Sequence, residues 1–299
     1  MAGMQRVSAT WSRRAWLAGV TASALAGCAQ RPAAADRIVE VAAGRDATRD
    51  ELLARLRAAD FVLLGELHDN PHHHARRGAL IAGLGAGTVV VAEHLDRGRQ
   101  VGPGPDPLAR LQAAGFDPRA WQWPLHQALF EPLLAAGLPV LGGNAPIATV
   151  RQVARQGLDS AAAGWRELLA AAPLAPAAEA ALDRALVDGH CGQLPPSRVP
   201  AMRAAQRVRD AALAQTLAES AGRPAVMVAG NGHVRLDHGV PALLRRLRPA
   251  ARVVVVGFGE PDWPLGGAPY DFLWLTTAVD RGDPCAGLRM PAAAAPARP

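Results

Sequence analysis

The strongest constraint on the fold is a set of short apolar runs that do not alternate with polar residues. Val89-Val90-Val91 and Val253-Val254-Val255-Val256 are apolar at every position. A strand with one wet face alternates, so such runs belong to strands buried on both faces, as in a parallel sheet between helical layers. The β-rich runs are Phe61 to Leu64, Thr88 to Ala92, Leu138 to Leu141, Ala225 to Ala229, Arg252 to Val256 and Phe272 to Leu275. Helical patterns fall between them, at Arg49 to Ala58, Pro71 to Leu84, His126 to Ala136 and Val199 to Ser220. The predicted class is therefore α/β, a mostly parallel sheet flanked by helices. Residues from about 147 to 194 carry helical segments without a convincing strand, which predicts a helical insertion between the third and fourth of the strands that the runs suggest. The domain is expected over 47–290, with 28–46 a linker before it. Residues 291–299 are Ala, Pro and Arg with nothing to bury, and are expected to be disordered.

The front of the chain reads as an export signal. Arg6, Arg13 and Arg14 precede an apolar, small-residue stretch from Ala15 to Gly27, and no acidic residue occurs before Cys28. This stretch is shorter than the roughly 20 apolar residues of a membrane-spanning helix, and polar residues follow it. Leu25-Ala26-Gly27-Cys28 resembles a lipobox and Ser12-Arg13-Arg14-Ala15-Trp16-Leu17 a twin-arginine signal. The expectation is a signal peptide over 1–27 and a lipid on Cys28, holding an exported domain at a membrane. Ala29 in place of aspartate favours the outer membrane, facing the periplasm.

Net charge is +6, but three of the positive charges precede Cys28, leaving +3 after cleavage. All 32 basic residues are arginines, and so small a surplus does not argue for nucleic acid. Of the three cysteines, Cys191 and Cys285 remain after lipidation; in an oxidising compartment they either pair or stay apart.

The chemistry-bearing residues gather after strand ends. Phe61 to Leu64 runs into Gly65-Glu66-Leu67-His68, then meets Asn70-Pro71, a helix cap followed by proline at the first helical position. The second run ends at Glu93-His94, and the fourth at Gly230-Asn231-Gly232-His233. If these strands are parallel, Glu66, His68, Glu93 and His233 converge at the carboxyl edge of the sheet, where open α/β sheets bind ligands. His72, His73 and His74 read individually as solvated helix surface, because three consecutive helical residues cannot share one face. His126, near Trp121 and Trp123, reads as packing. In the long helix, Gln206 and Arg209 join an apolar face and need partners if buried. No Gly-x-Ser-x-Gly elbow and no phosphate-binding Gly-x-x-x-x-Gly-Lys loop occurs, which disfavours serine-hydrolase and nucleotide-dependent chemistry.

At these residues the chain resembles the ChaN-like haem-binding lipoproteins of the Tiki/TraB/erythromycin-esterase superfamily. The matching pieces are GELHDNPHHH from Gly65, VVVAEH from Val89, GNAP from Gly143, DGHCG from Asp188, MRAAQRVRDAALAQ from Met202 and AGNGHVRLDHGVP from Ala229. The resemblance implies haem binding in iron uptake by a lipid-anchored α/β domain. The implied pocket residues are Glu66, His68, Glu93 and His233, with Asn144, His190, Gln206, Asn231 and His238 as secondary candidates. Haem needs an axial ligand, which histidine supplies, or tyrosine; the single tyrosine is Tyr270. His94-Leu95 departs from the family, which more commonly has Met-Phe there. Expected partners are haem, the membrane, an outer-membrane haem receptor and a second copy of the chain. The competing reading is a metal-dependent hydrolase, with zinc, manganese or iron held by His68, His233 and a carboxylate, and Glu66 or Glu93 as general base.

Overall fold

Burial on both faces is what the apolar runs achieve. The computed structural model describes residues 36–220, 222–283 and 285–286. Cys28, the export signal and the 291–299 tail lie outside the described residues. The strands are β1 (Arg37–Glu40), β2 (Arg45–Ala47), β3 (Phe61–Leu64), β4 (Val89–Asp96), β5 (Val140–Asn144), β6 (Ala225–Val228), β7 (Val253–Gly259) and β8 (Phe272–Leu275). They form one sheet in the order β2-β1-β8-β7-β3-β6-β4-β5. All pairings from β8 to β5 are parallel, and the two made by β1, with β2 and with β8, are antiparallel. The fold is thus α/β with a mostly parallel sheet.

Among the described residues ten α-helices surround it: α1 (Arg49–Arg57), α2 (Pro71–Ala82), α3 (Pro107–Ala113), α4 (Gln127–Ala135), α5 (Ile147–Gln156), α6 (Ala163–Ala171), α7 (Pro176–Gly189), α8 (Val199–Glu219), α9 (Asn231–Val234) and α10 (Val240–Leu247). Caps set their starts. Thr48 and Glu51 form a reciprocal capping box on α1, and the Asn70 side chain accepts from His72 N ahead of Pro71 in α2. No helix among the described residues is long and apolar enough to cross a membrane.

The sheet separates two cores. On one face Val62, Leu64, Val90 and Ala92 pack with Leu80 and Ile81 of α2 and with Phe130 and Leu133 of α4. On the other, Leu63, Val91 and Met227 pack with Leu213 and Leu217 of α8 and with Leu243 of α10. α5, α6 and α7 lie between β5 and the long α8 that crosses this second face.

Two expectations need correction. Part of 28–46, read as linker, forms β1 and β2, because Ile38 and Val39 are buried in the sheet. The predicted second strand does not end at Ala92 but continues to Asp96 through a register shift. Gly142 of β5 permits this: a Cβ there would lie 2.0 Å from the Asp96 carbonyl oxygen.

Candidate functional site

The loop after β3 is built around a glycine. A Cβ on Gly65 would sit 2.2 Å from Asn231 Oδ1. Asn231 is itself tied to β7: its Nδ2 donates to the Phe258 carbonyl at 2.6 Å and its Oδ1 accepts from Phe258 N at 3.1 Å. This stitching directs Glu66, which is buried, into a ring of bases. His68 Nδ1 lies 2.6 Å from Glu66 Oε1. His126 Nε2 stands 3.6 Å and His94 Nε2 3.8 Å from the same oxygen. On the other oxygen, Arg77 makes an ion pair and His74 Nδ1 lies at 3.0 Å.

α2 delivers His74 and Arg77 together because residues three apart share a helix face. His74 Nε2 bonds the His68 carbonyl at 3.0 Å, and its Nδ1 faces Arg77 at 3.0 Å. His73 points elsewhere: Leu67 N donates to its Nδ1 at 3.0 Å, and its Nε2 bonds the Gly259 carbonyl at 3.3 Å. Both rings are fully buried, which corrects their reading as solvated surface. α2 is covered by the sheet on one side and α4 on another, so consecutive residues are buried against different neighbours. Burial lowers His73 and His74 to about 4 and Arg77 to about 9.

Glu93 and His94 are neighbours in β4 and therefore face opposite sides of the sheet. Glu93 faces α8. Its Oε1 accepts from Arg209 at 2.6 Å and lies 3.3 Å from His233 Nε2, while its Oε2 accepts from Gly230 N at 2.7 Å. His233 Nδ1 pairs with Asp210 at 2.6 Å, and the Gln206 amide lies 3.2 Å from the same ring. Asn144 completes the cluster, donating to the Glu93 carbonyl at 2.9 Å and accepting from Arg209 Nε at 3.1 Å. Burial pushes Glu93 up, but His233 and Arg209 outweigh it and hold the carboxyl well below its usual range. Burial would likewise lower His233, but Glu93 and Asp210 raise it to about 9. His233 is therefore an imidazolium at neutral pH with both nitrogens engaged.

The two clusters share one cavity of about 260 Å³, lined by His68, Glu93, Trp121, His126 and Arg209 with Ala120 and Gln122. His68 is half exposed within it and meets Trp121 edge-on at 5.3 Å. Its Nδ1–H donates to Glu66, which leaves Nε2 as a free lone pair. The four residues Glu66, His68, Glu93 and His233 are thus gathered at one edge, as two linked groups.

Other candidates lie elsewhere. Tyr270 is buried in the α8-side core with its ring against Gly257 and beside Arg235, and burial pushes it up to about 12. His238 is buried near Asp237, with its carbonyl accepting from Arg207. His190 bonds the Leu186 carbonyl at the end of α7. Next to it, Cys191 is disulfide-bonded to Cys285. His126, read as packing, instead faces Glu66, and His94 lies beside both. The sequence reading missed Arg77 altogether, although its spacing from His74 was visible.

The family described as haem-binding uptake, Tiki superfamily, ChaN matches residues 52–244. No curated protein matches the chain. Among solved structures, cofacial haem-bound ChaN of Campylobacter jejuni superposes with a TM-score of 0.67 at 16% identity, covering 81% of this chain and 97% of that one. An erythromycin esterase variant, EreC, in its open conformation gives 0.40 at 15% identity, covering 77% and 80%. A toxin effector domain, RRSP, from Vibrio vulnificus gives 0.34 at 18% identity, covering 65% and 34%.

Proposed function

We propose that haem is the ligand of this cavity, proceeding from the chain's membership of the haem-binding uptake family ChaN of the Tiki superfamily. The observation that carries the reading is His68. Its Nδ1–H is held by a buried carboxylate 2.6 Å away, and its Nε2 is free in a half-exposed ring. Metal-ligating histidines are oriented in this way, with the outer nitrogen bonded to a carboxylate that fixes the tautomer. Haem, when bound, would supply an iron that accepts a nitrogen ligand. His68 would provide that nitrogen, Trp121 an apolar wall, and Arg209 a cation for the carboxylates. Tyr270 and His233 do not serve: the first is buried in the opposite core, and the second has no free lone pair. For the latter reason a hydrolytic metal held by His68 and His233 is not favoured.

A porphyrin is larger than the cavity, so part of the ring stays outside it. A second copy of the chain would cover that part, in keeping with the cofacial haems of the Campylobacter jejuni protein. The biological setting in this reading is an exported lipoprotein, lipidated at Cys28, facing the periplasm and receiving haem from an outer-membrane receptor. The Cys191–Cys285 bridge supports an oxidising compartment.

Hemin titration of the full chain in detergent tests the ligand. Wild type and Tyr270→Phe should develop a stoichiometric Soret band that His68→Ala lacks. No uptake by wild type sinks haem binding, whereas loss in Tyr270→Phe alone sinks only the choice of His68. Cys28→Ser should release the protein from membranes; equal fractionation of both forms would rule out the anchor.

A further inference from the structure

The Glu66 ring contains more imidazoles than the haem reading uses. His94 and His126 are buried; neither ring nitrogen of His94 has a hydrogen-bond partner among the described residues, and the His126 ring has only the Trp121 backbone. A neutral imidazole carries one donor and one acceptor, so both polar groups of His94 and one of His126 are stranded beside an apolar wall of Phe116, Phe130 and Trp121. Stranded buried groups of this kind call for a missing partner.

The geometry says which partner. Glu66 Oε1, His94 Nε2 and His126 Nε2 are too far apart for hydrogen bonds, at 3.8 Å and 3.6 Å from the oxygen. One ligand atom from each of these residues can be chosen so that all three lie within 4.8 Å of one another. Around a divalent ion with metal–ligand bonds of roughly 2.0–2.1 Å, tetrahedral ligand atoms stand roughly 3.3–3.5 Å apart. The two separations from the carboxylate oxygen exceed this by only a few tenths of an ångström.

We propose that Glu66, His94 and His126 form a binding site for one divalent first-row transition ion, distinct from the haem ligand. Two histidines and one carboxylate are a donor set for iron(II), zinc or cobalt with coordination positions left open. The supporting shell is present: Arg77 holds the second Glu66 oxygen, as ligating carboxylates are commonly held, while the first accepts from His68 and keeps a further lone pair for an ion. His126 lines the cavity, which gives the ion a route in.

Cobalt(II) is a suitable probe, because low-symmetry nitrogen and oxygen ligation gives it a visible absorption band. The full chain in detergent should bind one equivalent, with that band and a raised unfolding temperature. His94→Phe should weaken binding at least 100-fold and abolish the temperature shift. It fills the same aromatic pocket without stranded nitrogens, so without metal it should unfold cooperatively at or above the wild-type midpoint. That control separates loss of the site from loss of the fold, and hemin uptake by the same variant separates it from the haem reading. Equal cobalt affinity in wild type and His94→Phe overturns the proposal. So does absence of stoichiometric binding, or cobalt binding lost in His233→Gln but kept in His94→Phe.

Discussion

His233 makes folding stability depend on pH in a direction opposite to that of a simple buried histidine. Desolvation alone would lower its pKa, yet Glu93 and Asp210 raise it to about 9 from an ordinary value of 6.5. A group that binds its proton more tightly in the folded state contributes stability fully below its unfolded pKa. The contribution is lost as pH rises through the folded pKa, so the window runs from 6.5 to about 9. At about 1.36 kcal/mol per unit, the whole effect is of order 3 kcal/mol. For a chain of this size that corresponds to a fall of roughly 6–12 °C in the unfolding midpoint. Thermal or urea unfolding with the disulfide kept oxidised, between pH 6 and pH 10, measures it. His233→Gln supplies the reference, since it retains the other titrating groups but has no proton to lose there. Wild type should lose about 3 kcal/mol more than the variant across the window. Parallel curves for the two proteins, or a wild type that gains relative to the variant, would refute the assignment of a charged His233.

Three substitutions probe the framework. Arg77→Met leaves the Glu66 carboxylate buried without its cation and should cost about 3–5 kcal/mol in urea unfolding, part of which Glu66→Gln in the same chain restores. A cost below about 1 kcal/mol would mean that the pair is solvated. Gly78→Ala drives a Cβ to 2.4 Å from the Ala128 carbonyl, backbone that cannot swing aside, and should destabilise by about 1–3 kcal/mol; an unchanged midpoint would show that α2 and α4 are not in contact. Gly230→Ala brings a Cβ to 2.8 Å from His68 Nε2, so hemin affinity should drop at least tenfold, and unaltered affinity would remove His68 as ligand.

Much of this architecture was legible because parallel strands buried on both faces cannot hide their composition. β3, β6, β7 and β8 were recoverable from apolar runs alone, and the parallel arrangement then placed Glu66, His68, Glu93 and His233 on one edge. β1 and β2 were not, since Arg37–Glu40 and Arg45–Ala47 are segments of four and three residues that begin on exposed arginines, too short to show a period. Nor was the displacement of Tyr270, which depends on β8 crossing to the far side of β7, a tertiary fact with no local signature.

The His94 and His126 pair was hidden for a more instructive reason. With the second strand ended at Ala92, Glu93 and His94 fall in one loop, and nothing in that reading separates the sides they face. Extended to Asp96, the same residues obey the two-residue period of a strand. Glu93 must then join the α8 face with Val91, and His94 the α4 face with Ala92. A single extra turn of the pleat thus divides one apparent site into two. An imidazolium locked between carboxylates lies on one side, and two buried imidazoles facing Glu66 lie on the other. Since His68, Trp121 and Arg209 all line the shared cavity, changes at His94 should reach haem through Trp121 and His68, and changes at His233 through Glu93 and Arg209.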